Sequence, residues 1–264
     1  MRLFWLVFQL RMKRQLAYQT AAYAGFVTQV VFGLVLVAIF AAFYANGIKA
    51  PMTLPQVTTY IWLGQAFFAM TPYSVFPDAE LREQIRDGSV ATELLRPVDL
   101  HSLWMARTLA SKLAPTALRC APVIVVATLF AGMHLPPDIP SFLAWLLTTI
   151  GALVLISAFI VLMILTQFWT VAGDGLSRAV PGIAAATSGQ LVPLALLPEN
   201  IRVVFDWLPF AGMVDKPYAF WVGTRPVSDL PFVLGHQLIW TVVLVLAGRL
   251  ILGRGLRRLT VTGG

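Results

Sequence analysis

The chain of 264 residues has a single cysteine, Cys120. One thiol excludes a disulfide framework and any cysteine-based metal site. Histidine is also scarce. His101, His134 and His236 lie far apart, with no metal-ligand spacing and no cluster suited to a His base. No G-x-x-x-x-G-K-S/T run occurs, so the chain carries no phosphate loop with which to hydrolyse ATP. Residues 171–174 read VAGD and residues 186–189 read ATSG, which miss the GxGD and GxSG signatures of intramembrane proteases. Charge is the most telling shortage: Asp, Glu, Lys and Arg make up only 12% of the chain, about half the usual share.

In place of charge there is apolar bulk, 58% of the residues. A soluble domain of this size cannot bury so much apolar surface, because a large part of any folded surface faces water. An ordinary soluble enzyme, a disordered chain and a nucleic-acid-binding module are excluded, leaving an integral membrane protein. Six long stretches lack Asp, Glu, Lys and Arg: 15–48, 50–77, 120–137, 139–173, 179–198 and 230–248. Each is near or above the roughly 20 apolar residues that a spanning helix needs. Six transmembrane helices are therefore expected, the first and fourth long and tilted and the third beginning before Arg119. The loops are marked by Asn46-Gly47, Pro51, Pro55, Pro136, Pro137 and Pro140.

An even number of spans brings both termini to one side. On that side fall 13 of the 19 Lys and Arg residues, against 4 on the other. The bias puts both termini in the cytoplasm and accounts for the net charge of +7 without an acidic partner. The first residues are apolar from Leu3 to Phe8, and Arg11, Lys13 and Arg14 come after. This order is the reverse of a cleavable signal peptide. It suits an amphipathic interfacial helix over residues 1–17, or else a plain extension of the first span.

The segment 78–100 reads DAELREQIRDGSVATELLRPVDL and holds nine charged residues in 23 positions. Leu81 and Ile85 share a helix face, Gly88 is a helix stop, and Pro97 ends a second apolar turn after Val90. A short helix, a glycine turn and a second short helix form an elbow suited to docking a soluble partner. The alternative is a solvated loop.

The run IRDGSVATELLRPVD, residues 85–99, resembles the first cytoplasmic loop of ABC-2-type transporter permeases. A second run, residues 190–223, is similar to that family's segment between its fifth and sixth spans. The matching features are Pro193, Pro198, Leu208-Pro209-Phe210 and Pro217. The resemblance extends over essentially the whole chain, and is greatest to the branch that pairs two different permeases with one ATPase. It implies an all-α integral membrane fold of the type V exporter kind, as a single permease domain over 1–264. An interfacial helix, a cytoplasmic coupling helix after span two and re-entrant helices over 198–229 complete that fold. It implies an exporter subunit in a bacterial cytoplasmic (inner) membrane, working with two copies of a separate ABC ATPase and a second six-span permease. ATP and Mg would be held by the ATPase, with no cofactor in this chain and no nucleic-acid partner. The coupling contacts would come from Glu83, Arg86, Asp87, Gly88, Glu93, Arg96 and Pro97.

Polar residues within the stretches are the candidates for a substrate path. They are Gln29, Gln65, Gln167, Ser188 and Gln190, with Phe68 and Trp169 as stacking surface. Amides beside aromatics suit an amphiphilic or cationic organic molecule. The same residues also suit interhelical hydrogen bonds of about 0.6 kcal/mol each. Lys112 is expected to snorkel to the cytoplasmic headgroups, whereas Arg119 lies deeper, as an intramembrane charge that pairs with a partner, lines a wet cavity or snorkels. Pro181, Gly182, Gly189 and Pro193 predict a kinked or broken fifth span. An ion-coupled carrier or channel is the rival reading, but no inverted repeat is visible and every Asp and Glu lies outside the six stretches.

Overall fold

The computed structural model describes residues 2–16, 19–47, 50–71, 84, 99–167 and 174–256, and every element in them is helical. In chain order these are α1 (Arg2–Leu16), α2 (Gln19–Ala45), α3 (Leu54–Ala66), α4 (Leu100–Phe130), α5 (Ile139–Thr166) and α6 (Asp174–Thr187). After them come α7 (Glu199–Trp207), α8 (Asp215–Val222) and α9 (Leu230–Leu256). Single 3-10 turns follow α3 and precede α7, α8 and α9.

The helix starts follow from local chemistry. Thr53 and Gln56 form a reciprocal capping box at α3, with Pro55 in the first turn. Asp99 caps α4 by accepting from the Ser102 amide, and Asp138 caps α5 by accepting from the Ser141 amide at 2.7 Å. The Ser141 side chain and amide hold the Asp138 carboxyl below the usual carboxylate range. α2 ends at Asn46, whose side chain donates to the Ala42 carbonyl, and at Gly47 with φ of 79°. That is the expected exit.

Among the described residues, four helices are long and apolar enough to cross a membrane: Tyr23–Ala45, Leu100–Phe130, Ile139–Thr166 and Val227–Gly255. They are apolar both in the core and on the outer face. α5 is the buried centre, flanked by α9, α8 and α4. α2 and α9 turn Phe32, Val35, Val243 and Leu246 outward, on faces that suit lipid or an apolar partner. α2 lies tight on α3, because a Cβ at Gly33 would overlap the Trp62 ring. The Trp62 indole in turn donates to the Ala131 carbonyl at 3.1 Å.

The stretches 50–77 and 179–198 depart from single long helices. α3 has 13 residues and α6 has 14, each about 20 Å at 1.5 Å per residue, short of a hydrocarbon core of roughly 30 Å. α6 stops at Thr187, where Gly189 takes φ of 89° and the chain turns. The predicted break is therefore at Gly189, eight residues beyond Pro181, which α6 contains.

The two ends of the bundle are distinguished by contacts between distant segments. At one end the His134 amide donates to Thr59, and the Trp221 indole donates to the His134 carbonyl at 2.9 Å. The connection between α4 and α5 thus lies beside α8. At the other end Arg249 pairs with Asp99 at 3.3 Å. α1, over most of the expected interfacial segment, packs on α4 and leaves Trp5, Leu6 and Leu10 exposed. The coupling candidates Glu83, Arg86, Asp87, Gly88, Glu93, Arg96 and Pro97 lie outside the described residues, as does Trp169.

Candidate functional site

α3 is buried on every face from Val57 to Ala66. Such a helix has no water-facing side, so its polar groups must find partners in the protein. Tyr60 does so through its hydroxyl, which donates to Asp215 Oδ1 at 2.8 Å and lies 3.0 Å from the Gly189 carbonyl. Asp215 is the first residue of α8. Its Oδ1 also accepts from the Leu194 amide at 3.0 Å, while its own amide donates to the Ser188 carbonyl at 3.1 Å. A single buried carboxylate therefore ties α3, the break after α6 and α8 together. Burial pushes its pKa up, against the opposing pull of the Leu194 and Tyr60 bonds and the Arg225 charge. Glycine is required at 189 for two reasons: the positive φ, and a Cβ that would sit 2.6 Å from the Tyr60 oxygen and 2.8 Å from the Asp215 Cβ.

Next to this node α7, α8 and the connection from α8 to α9 hold an ion network. Asp206 lies 3.5 Å from Lys216 and 3.7 Å from Arg225, and Arg225 reaches Asp229 at 3.4 Å. Lys216 is fully buried, which lowers its pKa, and Asp206 opposes that fall. A cavity of about 360 Å³ opens between Asp215, Asp206, Arg202 and Arg225.

Of the expected path residues, Ser188 and Gln190 join the node. Gln190 donates to the Gly64 carbonyl at 3.2 Å, and its amide donates to Ser188 Oγ. Gln65 is buried in the same helix, one residue after Gly64. Gln29 is buried on α2 one turn before Gly33, the point of closest approach to α3. These residues come from the α2–α3–α6 side of the molecule. Gln167 is buried at the end of α5, and Phe68 is half-buried in the turn after α3. Arg119 is half-buried in α4 with its guanidinium against Gly25 of α2. Lys112 corrects the expectation of snorkelling. It is fully buried in α4 and donates to the carbonyl of Thr71, just beyond the turn after α3, at 2.9 Å.

Sequence reasoning missed Tyr60, Asp215 and Gln237. Gln237 donates to the Thr148 and Gly212 carbonyls, both at 2.8 Å, and so ties α9 to α5 and to the turn before α8. An adjacent His236-Gln237 pair inside an otherwise apolar stretch was the available signal. Asp215 gave none, since in sequence it is one of several charges in a loop.

Apolar outward-facing helices around a polar interior node define an all-helical integral membrane protein. The sequence model of a family described as ABC-2 family transporter protein matches residues 26–263, and the chain belongs to that family. It is thus a membrane component of an ABC transporter, partnered by an ABC ATPase. No curated protein and no solved structure matches the chain.

Proposed function

We propose that the chain is the permease subunit of an ATP-driven exporter and forms part of the translocation path for an amphiphilic, cationic or lipid-like molecule. The observation that carries this reading is the family match over residues 26–263, which includes both the charged elbow and the segment 198–229. ATP and Mg act on a separate ATPase, present in two copies, and a second, related six-span permease completes the pore. The stretches around α3 and α6 supply the second and fifth of six spans, the termini are cytoplasmic, and the membrane is the bacterial cytoplasmic one.

In this reading 198–229 is the extracytoplasmic re-entrant segment. Support comes from the short helices α7 and α8 and from their position at the opposite end of the bundle from Asp99 and Arg249. Gln29, Gln65, Phe68, Gln167, Trp169, Ser188 and Gln190 line the path, and Arg119 is an intramembrane charge within it. Glu83, Arg86, Asp87, Gly88, Glu93, Arg96 and Pro97 form the elbow that receives the ATPase. The test is transport into proteoliposomes carrying the chain, the second permease and the partner ABC ATPase. ATP-dependent accumulation of an amphiphilic dye is expected. Accumulation driven by an ion gradient without ATP would favour the carrier reading and overturn this one.

A further inference from the structure

The charged cavity beside Asp215 has an apolar neighbour. A second groove, of about 390 Å³, runs along α9 between Trp207, Phe232, Gly235, Ile239 and Trp240. Trp207 lines both spaces. Its carbonyl accepts from the Trp240 indole at 3.0 Å and lies 3.4 Å from His236 Nε2, which fixes the end of α7 against α9. The groove is therefore already formed. Phe232 and Ile239 are more than half exposed in it, and a Cβ at Gly235 would meet open space.

The charged wall is balanced once its network partners are counted. Arg202 and Arg225, with Lys216 behind them, face Asp206 and Asp215, with Asp229 beside Arg225. The charges are loosely held: Asp206 is shared between Lys216 and Arg225 at 3.5 and 3.7 Å, Arg225 also reaches Asp229 at 3.4 Å, and Arg202 lies 3.9 Å from the exposed Glu199. A headgroup of net charge would leave one charge uncompensated in a partly enclosed space, whereas a zwitterion adds none. Arginine forks suit a phosphate, and a carboxylate suits an ammonium.

We propose that these two spaces form one binding site for a zwitterionic phospholipid-like amphiphile. Its phosphate lies at Arg202 and Arg225, its amine at Asp206, and one acyl chain in the groove past Trp207 and Gly235. The proposal rests on the permease reading only in taking α7 and α8 to lie at the membrane surface, and its test needs no ATPase.

Native mass spectrometry of the full chain in dodecyl maltoside measures binding of dioctanoyl phosphatidylethanolamine. One molecule per chain is expected, bound about tenfold tighter than dioctanoyl phosphatidylglycerol, dodecyltrimethylammonium, dioctanoylglycerol or free phosphoethanolamine. Gly235→Leu fills the groove without touching a charge. It is expected to weaken phosphatidylethanolamine about tenfold while leaving phosphoethanolamine unchanged. Arg202→Gln with Arg225→Gln is expected to weaken both. If that pair fails to fold, the Gly235→Leu comparison decides alone, since leucine is a better helix former than glycine. Equal binding of the anionic or cationic amphiphile overturns the proposal. So does free phosphoethanolamine that binds as tightly as the lipid, or Gly235→Leu that binds the lipid like wild type. Binding as proposed without ATP-driven transport in the complete complex would sink the exporter reading alone.

Discussion

Asp215 and Gly189 hold the node together by opposite means, one through its acceptor oxygen and the other through the absence of a side chain. Asp215→Ala leaves the buried Leu194 amide without its acceptor, a cost of about 1–3 kcal/mol, whereas asparagine keeps an oxygen for both donors. The thermal midpoint is expected to fall for Asp215→Ala and to hold near wild type for Asp215→Asn at neutral pH. pH separates these two further. Burial raises the folded-state pKa of Asp215 above its unfolded value, so between the two values the folded chain binds more protons than the unfolded one. That contribution to stability is full below the ordinary carboxylate range and is lost as pH rises through the raised value. Asp215→Asn removes this decline, and its melting temperature should fall less steeply with rising pH than wild type. An identical pH slope in the two proteins would contradict the role given to the carboxyl. Gly189→Ala combines a positive φ with two overlaps, and should lower stability by about 1–3 kcal/mol. Ser188 and Gln190 were legible in the sequence because amides and hydroxyls stand out in an apolar stretch. Tyr60 was hidden because an aromatic residue is unremarkable there, and its role depends on a residue 155 positions away.

At the scale of elements, charge-free length located the long apolar stretches but not where their helices end. A run without charge reads the same through a helix, a turn and a 3-10 segment. The chain passes through all three from α6 to the 3-10 turn before α7, and the φ of Gly189 marks the stop. Caps at Thr53, Asp99 and Asp138 were equally invisible to a count of hydrophobic residues. The close approach of α2 to α3 rests on one glycine. Gly33→Val should force the helices apart at Trp62, giving a lower melting temperature and a higher dissociation rate of α2 from the core in crosslinking between cysteines at Val37 and Thr59. The elbow at 80–97 makes its own prediction. Single alanine changes there are expected to be mild, because exposed ion pairs contribute roughly 0–1 kcal/mol. Arg96→Glu combined with Glu93→Arg should abolish stimulation of the ATPase while the chain still inserts. Wild-type assembly and transport in that double variant would make the elbow an ordinary loop.

Across the whole molecule, topology and partnership are the claims at stake. The basic bias puts Ser89 inside and the loops at 46–55 and 134–140 outside. In a Cys120→Ala background, a cysteine at Ser89 should resist an impermeant maleimide in intact cells, and one at Leu135 should react. The reverse pattern would invert the topology. Membrane character was legible from composition alone, since so little charge and so much apolar bulk leave no soluble alternative, whereas the helical fold needed the charge-free stretches and the family resemblance. Partnership was legible only through a missing phosphate loop and a resemblance, because the surface that receives an ATPase is completed by another chain. The most direct measurement is therefore ATP hydrolysis by the separately purified ATPase subunit in liposomes, with and without this chain and the second permease proposed for it. The account predicts that the chain alone hydrolyses no ATP, that the ATPase co-purifies with the permeases, and that its turnover rises when they are present. ATP hydrolysis by the chain alone, or an ATPase that neither binds the permeases nor responds to them, would contradict it.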